Sequence, residues 1–279
     1  MTQAAPPPGP PIAAVLVPAL KALSIELGEV VPRLSTDDPE AVHDLRVTLR
    51  RLRSLLRPSR RVFGRFHADF VRSELGRIAQ LTNALRDEEA LNETLSRVAT
   101  SARLRRLVAR LQRARAPRDR ARRAAFLRLI AGGELGEARH ALDALLRLPV
   151  HPRRDGDGRK FAAKVLARAL ADIERLGVPA DDDGVGLHEL RIAHKRVRYL
   201  VMGLAPLLGE DAEPTRKRSE RAQKRLGDVH DLDVARVVVA RSRCLTPVER
   251  TALLAAIARA RATAIARFHE ARLADAVPA

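Results

Sequence analysis

Cysteine, tryptophan and tyrosine are almost missing from this 279-residue chain, which has one Cys (Cys244), no Trp, one Tyr and aromatics at 3% in all. A lone Cys excludes a disulfide framework and a Cys-based zinc site, and nothing argues for an oxidising compartment. So few rings leave almost no platform on which the bases of a single-stranded nucleic acid would stack. Lysine is scarce as well, at six of the 52 basic residues. No apolar run approaches the ~18 residues of a membrane span. The run 12–20 is short and lacks a basic segment before it, so it does not read as a signal peptide. A cytoplasmic protein without a membrane partner is expected. No Gly-x-x-x-x-Gly-Lys-Ser/Thr loop is present to cradle a nucleotide. Strand-like alternation and Asn-Gly or Asp-Gly hairpins between apolar runs are lacking too.

What is there is charge and helix. The net charge is +18, and 46% of residues are apolar, enough for a real core. At about 150 residues per domain, the length fits two domain-sized units or one large one. A soluble chain this basic repels itself unless it meets a polyanion. Residues 1–11 read as a disordered Pro-rich tail. The periodicity predicts helices at 12–33, 39–62, 66–86, 88–99, 102–131 and 134–147. After a polar linker at 149–158, it predicts helices at 159–176, 185–208, 212–227, 231–243 and 246–274. Asp37-Asp38-Pro39 reads as one helix start, Thr246-Pro247-Val248-Glu249 as a capping box, and Asp231 as a cap after Gly227.

The two parts of the chain repeat each other. Residues 42–56, VHDLRVTLRRLRSLL, align with 187–201, LHELRIAHKRVRYLV, at an offset of 145. His43 pairs with His188, Arg46 with Arg191, Arg50 with Lys195, Arg51 with Arg196 and Arg53 with Arg198. At an offset of 144, Arg77 and Asp87 match Arg221 and Asp231. An internal duplication of about 130 residues suggests two helical bundles related by a pseudo-two-fold axis. On a wheel of about 100° per residue, His43, Arg46, Arg50, Arg53 and Arg57 share one face beside an apolar stripe. His188, Arg191, Lys195 and Arg198 do the same. Like charges at helical spacing repel, so an acid-free basic face costs stability unless an anion sits there. Two such helices would face each other across a groove or channel. His194 falls on the core face and reads as a packed side chain.

These residues resemble the two signature helices of the CHAD family, the histidine-containing α-helical domains that bind inorganic polyphosphate. Gln223-Lys224-Arg225-Leu226-Gly227 through Asp233 is similar to that family's second-half pattern, and Leu85-Arg86-Asp87 to its first-half Arg-Asp element. The resemblance spans about residues 12–274. It implies an all-α fold: an internally duplicated pair of four-helix bundles with pseudo-two-fold symmetry and a basic central channel. The halves would lie at about 12–147 and 159–274. It carries over His43, Arg46, Arg50, Arg51 and Arg53, and His188, Arg191, Lys195, Arg196 and Arg198. Arg77 and Arg221 sit at matched positions on the following helices, and Lys217 and Lys224 lie a turn either side of Arg221. Arg51 and Arg196 fall off the basic face and rest on the family pattern. Glu220 stands where a basic residue is expected. The fused triphosphate-tunnel domain of many relatives has no counterpart here, so the chain looks like the stand-alone form.

Arg suits such a ligand, because its planar fork binds two phosphate oxygens at once. The carboxylates do not form a catalytic set. Asp181-Asp182-Asp183 reads as a polar loop, and Asp87, Glu89, Asp231 and Asp233 as caps and ion-pair partners. The expectation is a binding protein and not an enzyme, with no cofactor and no metal. It would take inorganic polyphosphate, for association with polyphosphate granules or for regulation of polyphosphate metabolism through partner enzymes. The alternative is a helical protein that binds nucleic acid non-specifically. Whether an organic polyphosphate is the true ligand stays open.

Overall fold

The computed structural model describes residues 9–36, 38, 40–150 and 156–276, with side chains to residue 274. Most of the Pro-rich tail, the Asp37 and Pro39 start signal and the middle of the 149–158 linker lie outside them. Among the described residues the fold is all-α. Ten helices follow in order: α1 (Ile12–Arg33), α2 (Ala41–Phe63), α3 (Arg65–Leu81), α4 (Asn83–Val98), α5 (Ala102–Ala131), α6 (Glu134–Arg147), α7 (Gly158–Leu176), α8 (Gly184–Leu208), α9 (Glu213–Ala240) and α10 (Pro247–Ala276). A short 3₁₀ turn, Glu210–Ala212, precedes α9.

The helices build two compact units. The first takes Met1–Thr82, Leu127–Asp172 and Arg196–Lys217, and the second takes Asn83–Phe126, Ile173–Lys195 and Arg218–Ala279. In the first unit α2 packs on α1 and α3, and α6 covers α1 and α3. The reason is legible in α2. Leu45, Leu49, Leu52 and Leu56 recur at spacings of three and four, and all are fully buried. Leu16, Leu20, Leu23 and Leu27 do the same on α1. Gly203 of α8 lets the chain approach α2 closely, since a Cβ there would lie 2.1 Å from Leu55 Cδ2. Gly64, at φ 86°, makes the sharp turn from α2 into α3 that a side chain would strain.

The second unit has its own core. Leu91 and Leu95 of α4, Leu107 and Leu111 of α5, Leu187 and Leu190 of α8, Leu226, Val229 and Leu232 of α9, and Leu253 and Ile257 of α10 form one buried cluster. Beside it Glu88, 4% exposed, accepts two hydrogen bonds from Arg115 at 2.6 Å each. A buried carboxylate is tolerable only when paired in this way.

Two boundaries differ from the sequence reading. The helices expected at 212–227 and 231–243 are one, α9, and Asp231 lies inside it instead of capping a new helix. Gly227 weakens a helix without breaking it, and the buried series Leu226, Val229, Leu232, Ala235 and Val239 holds the register through it. The break expected after 86 falls at Thr82, which is fully buried and whose hydroxyl turns back to the Ala79 carbonyl. Leu85-Arg86-Asp87 consequently lies within α4. The capping box stands as read: Thr246 N donates to Glu249 Oε2 at 2.8 Å, and Glu249 N to Thr246 Oγ1 at 3.4 Å.

Candidate anion-binding site

In the first unit, the apolar stripe of α2 fixes where its arginines go. With Leu49, Leu52 and Leu56 turned inward, Arg50, Arg53 and Arg57 lie beside the core. Arg50 donates to the Tyr199 hydroxyl at 3.0 Å and stands 5.7 Å from that ring's centre. Arg198 stands 5.4 Å from the same ring. Arg46 donates to Thr82 Oγ1. Arg53 lies against the α3 backbone at Gly76, where a Cβ would be 3.4–3.5 Å from its guanidinium. There it lines a cleft of about 600 Å³ with Arg60, Asp69, Arg72, Ser73, Gly76, Arg77 and Gln80.

The charge balance of this cleft is uneven. Arg60 pairs with Asp69 at 2.6 Å, and Arg77 is held by Glu74 and Glu134. Arg53, Arg57 and Arg72 have no carboxylate within ion-pair distance among the described residues, and the Nε atoms of Arg53 and Arg72 are buried without a hydrogen-bond acceptor. Burial first, then neighbouring Arg72 and Arg50, hold Arg53 below the usual guanidinium range. Burial and then Arg196, Arg72 and Arg60 do the same to Arg57, and Asp172 offsets part of it from beyond ion-pair distance. An Arg does not give up its proton. The shift is therefore a free-energy cost of keeping these cations together, and an anion would relieve it.

In the second unit the His188 and His230 rings are 4.5 Å apart, with their Nδ1 atoms separated by 3.2 Å. At that distance one neutral ring donates and the other accepts. Burial, His230, Arg191 and Lys195 lower the His188 pKa, and burial and Arg191 lower that of His230. Arg191 lies along α9 at Gly227, its Nε 3.5 Å from where a Cβ would be. Asp231, deeper in the same helix, is pushed up by burial. The Asp181 loop carboxylate meets His269 Nε2 at 2.7 Å, and Asp233 takes Arg261 at 2.7 Å.

The profile of the CHAD domain family matches residues 17–240. The chain belongs to the CHAD domain family. Solved structures share the fold, two of them as follows. PptA from Streptomyces chartreusis is 17% identical, with a TM-score of 0.74 over 94% of this chain and 99% of that one. The CHAD domain from the plant Ricinus communis is 20% identical, with a TM-score of 0.72 over all of this chain and 96% of that one. Among curated proteins none matches the sequence. CHAD domains are known in general for polyphosphate binding.

Within this CHAD domain the residues singled out from the sequence fall into distinct environments. Arg46, Arg50, Arg53, Arg57 and Arg198 belong to the first unit and Arg191 and Lys195 to the second. Arg51 and Arg196, off the basic face of the wheel, are ion-paired to Glu26 at 2.6 Å and Asp172 at 2.5 Å. His43, Lys217, Arg221 and Lys224 are exposed. His188 has His230 as its partner, whereas no ring stacks on His43 among the described residues. The sequence reading missed Arg72, Arg60, His230 and Tyr199. Arg72 carried a usable signal, since the offset of 144 that pairs Arg77 with Arg221 also pairs Arg72 with Arg216. Among the described residues no helix is long and apolar enough to cross a membrane.

Proposed function

We propose that this CHAD domain binds inorganic polyphosphate through the basic faces of α2 and α3 in one unit and of α8 and α9 in the other, without catalysing a reaction on it. The observation that carries the reading is the group Arg53, Arg57 and Arg72: crowded, partly desolvated cations that lack carboxylate partners among the described residues. Polyphosphate offers about one negative charge per phosphate along a flexible strand and presents no bases. A row of arginines that advances one helical turn at a time matches it, and desolvation strengthens each contact. The duplicated plan, the pseudo-two-fold axis and the central channel inferred from the repeated helices belong to the same proposal. So do polyphosphate-metabolising enzymes as partners and association with polyphosphate granules in the cytoplasm.

The test is the double variant Arg53→Gln with Arg57→Gln. Polyphosphate affinity should fall at least tenfold, about 1.4 kcal/mol or more. The ligand-free variant should melt at a higher temperature than the wild type, because two partly buried cations, each repelled by Arg72, are gone. Calorimetric titration and thermal melts read both. Wild-type affinity in the variant removes these residues from the site. Duplex DNA that competes equally per phosphate favours the non-specific nucleic-acid reading instead.

A further inference from the structure

Helix α5 is an anomaly that the cleft does not account for. Over its 30 residues it carries eleven Arg and one acid, Asp119, while α10, of equal length, carries five Arg and three acids. Only Leu107, Val108, Leu111 and Phe126 of α5 are buried. Within the second unit the helix divides its arginines between two sides. Arg115 and Arg122 follow the buried leucines and clamp Glu88. On the opposite side Arg110 takes Glu249, while Arg103, Arg106, Arg113 and Arg120 are exposed and none of these four has an ion pair among the described residues. At 3.6 residues per turn these four lie in a strip about 100° wide and roughly 25 Å long. Ala109, Pro117 and Ala124, all exposed, lie along it.

We propose that this strip is a second polyphosphate-binding track, separate from the arginine cleft; the inference rests on the polyphosphate reading above. Arg106, Arg113 and Arg120 recur every seven residues and drift by only about 20° at each step, so a single flexible polyanion can follow them in a straight line. A lipid surface fits less well, because helices that lie in a bilayer interface bring Trp, Phe or Leu beside their cations, and this strip brings Ala and Pro. Exposed and solvated, the track binds more weakly than the cleft and loses more affinity in salt. Its consequence is valency: one chain holds polyphosphate at two places, which gains avidity on a long polymer or in a granule.

The experiment compares three forms of the full chain: wild type, a strip variant (R106Q, R113Q, R120Q) and a cleft variant (R53Q, R72Q). Each is titrated with short-chain polyphosphate, and separately with random duplex DNA, across a salt series, with circular dichroism as the fold control. Wild type should show two classes of site. The strip variant should lose the weaker one, the class whose affinity in the wild type falls more steeply with salt, and so lower the stoichiometry and the overall salt dependence. The cleft variant should keep that weaker class. An unchanged stoichiometry and slope in the strip variant overturns the track, as does a strip variant that loses duplex binding alone. If the wild type binds no polyphosphate, the proposed function fails with it. If the cleft variant binds like wild type while the strip variant does not, the track stands and the cleft is wrong.

Discussion

At the scale of single residues, the paired imidazoles of His188 and His230 make the protein sensitive to acid. With Nδ1 atoms 3.2 Å apart, the pair holds together while at least one ring is neutral. Arg191 and Lys195 add positive charge around them, and Glu189, Asp233 and Asp87 offset part of it. Both histidines have folded-state pKa values below the ordinary 6.5. Below pH 6.5 the unfolded chain therefore binds more protons than the folded one. The contribution of the pair to stability is complete above pH 6.5 and is lost as the pH falls toward the folded values. Thermal melts of the free protein should drop through that window, and His230→Asn should flatten the drop. An identical pH profile in the variant would remove the pair from this account. Polyphosphate bound beside this pair, as proposed, would reverse the sign locally, because a nearby anion favours the imidazolium, so affinity should rise on acidification.

At the scale of helices, close approach decides more than propensity does. Gly203 is the clearest case: α8 lies so near α2 that a methyl at 203 would overlap Leu55. Gly203→Ala improves intrinsic helix propensity by roughly 1 kcal/mol, yet it should lower stability by about 1–3 kcal/mol through overpacking. Denaturant melts decide which effect wins, and a stabilised variant would mean that Leu55 moves aside without cost. The helices themselves were well marked in the sequence. The leucine series of α1 and α2, the Thr246 capping box and the turn at Gly133, φ 97°, all leave local signatures. Local rules failed where burial overrode them. Gly227 looked like a stop, but the apolar series on both sides of it is continuous. Thr82, which carries the real break, has no Gly or Pro to announce it.

At the scale of the molecule, periodicity tells which face of a helix is buried but not which helix covers it. The basic faces of α2 and α8 could therefore be read from their wheels, while Arg72 and Tyr199 could not, because their roles come from α3 and α8 approaching α2. The same limit hid the make-up of the units. The repeat divides the sequence near residue 150, whereas the first unit is completed only by Arg196–Lys217. A fragment ending at Arg147 should therefore retain some helix but lose the cooperative melt of the full chain. A sharp, native-like transition in the fragment would show that the first unit needs nothing from α8.

That composition also sets the order of events on the ribosome. Synthesis is vectorial, and an N-terminal domain usually folds before the next one emerges. Here α1, α2 and α3 leave the exit tunnel long before Arg196–Lys217 does, and the second unit waits for α10. Neither unit can close early. Nascent chains will carry an exposed leucine stripe beside a dense row of arginines for most of translation, next to a ribosome built of polyanion. The gap between emergence and closure, more than the stability of the finished fold, is where this sequence is most at risk of aggregation and most dependent on chaperones.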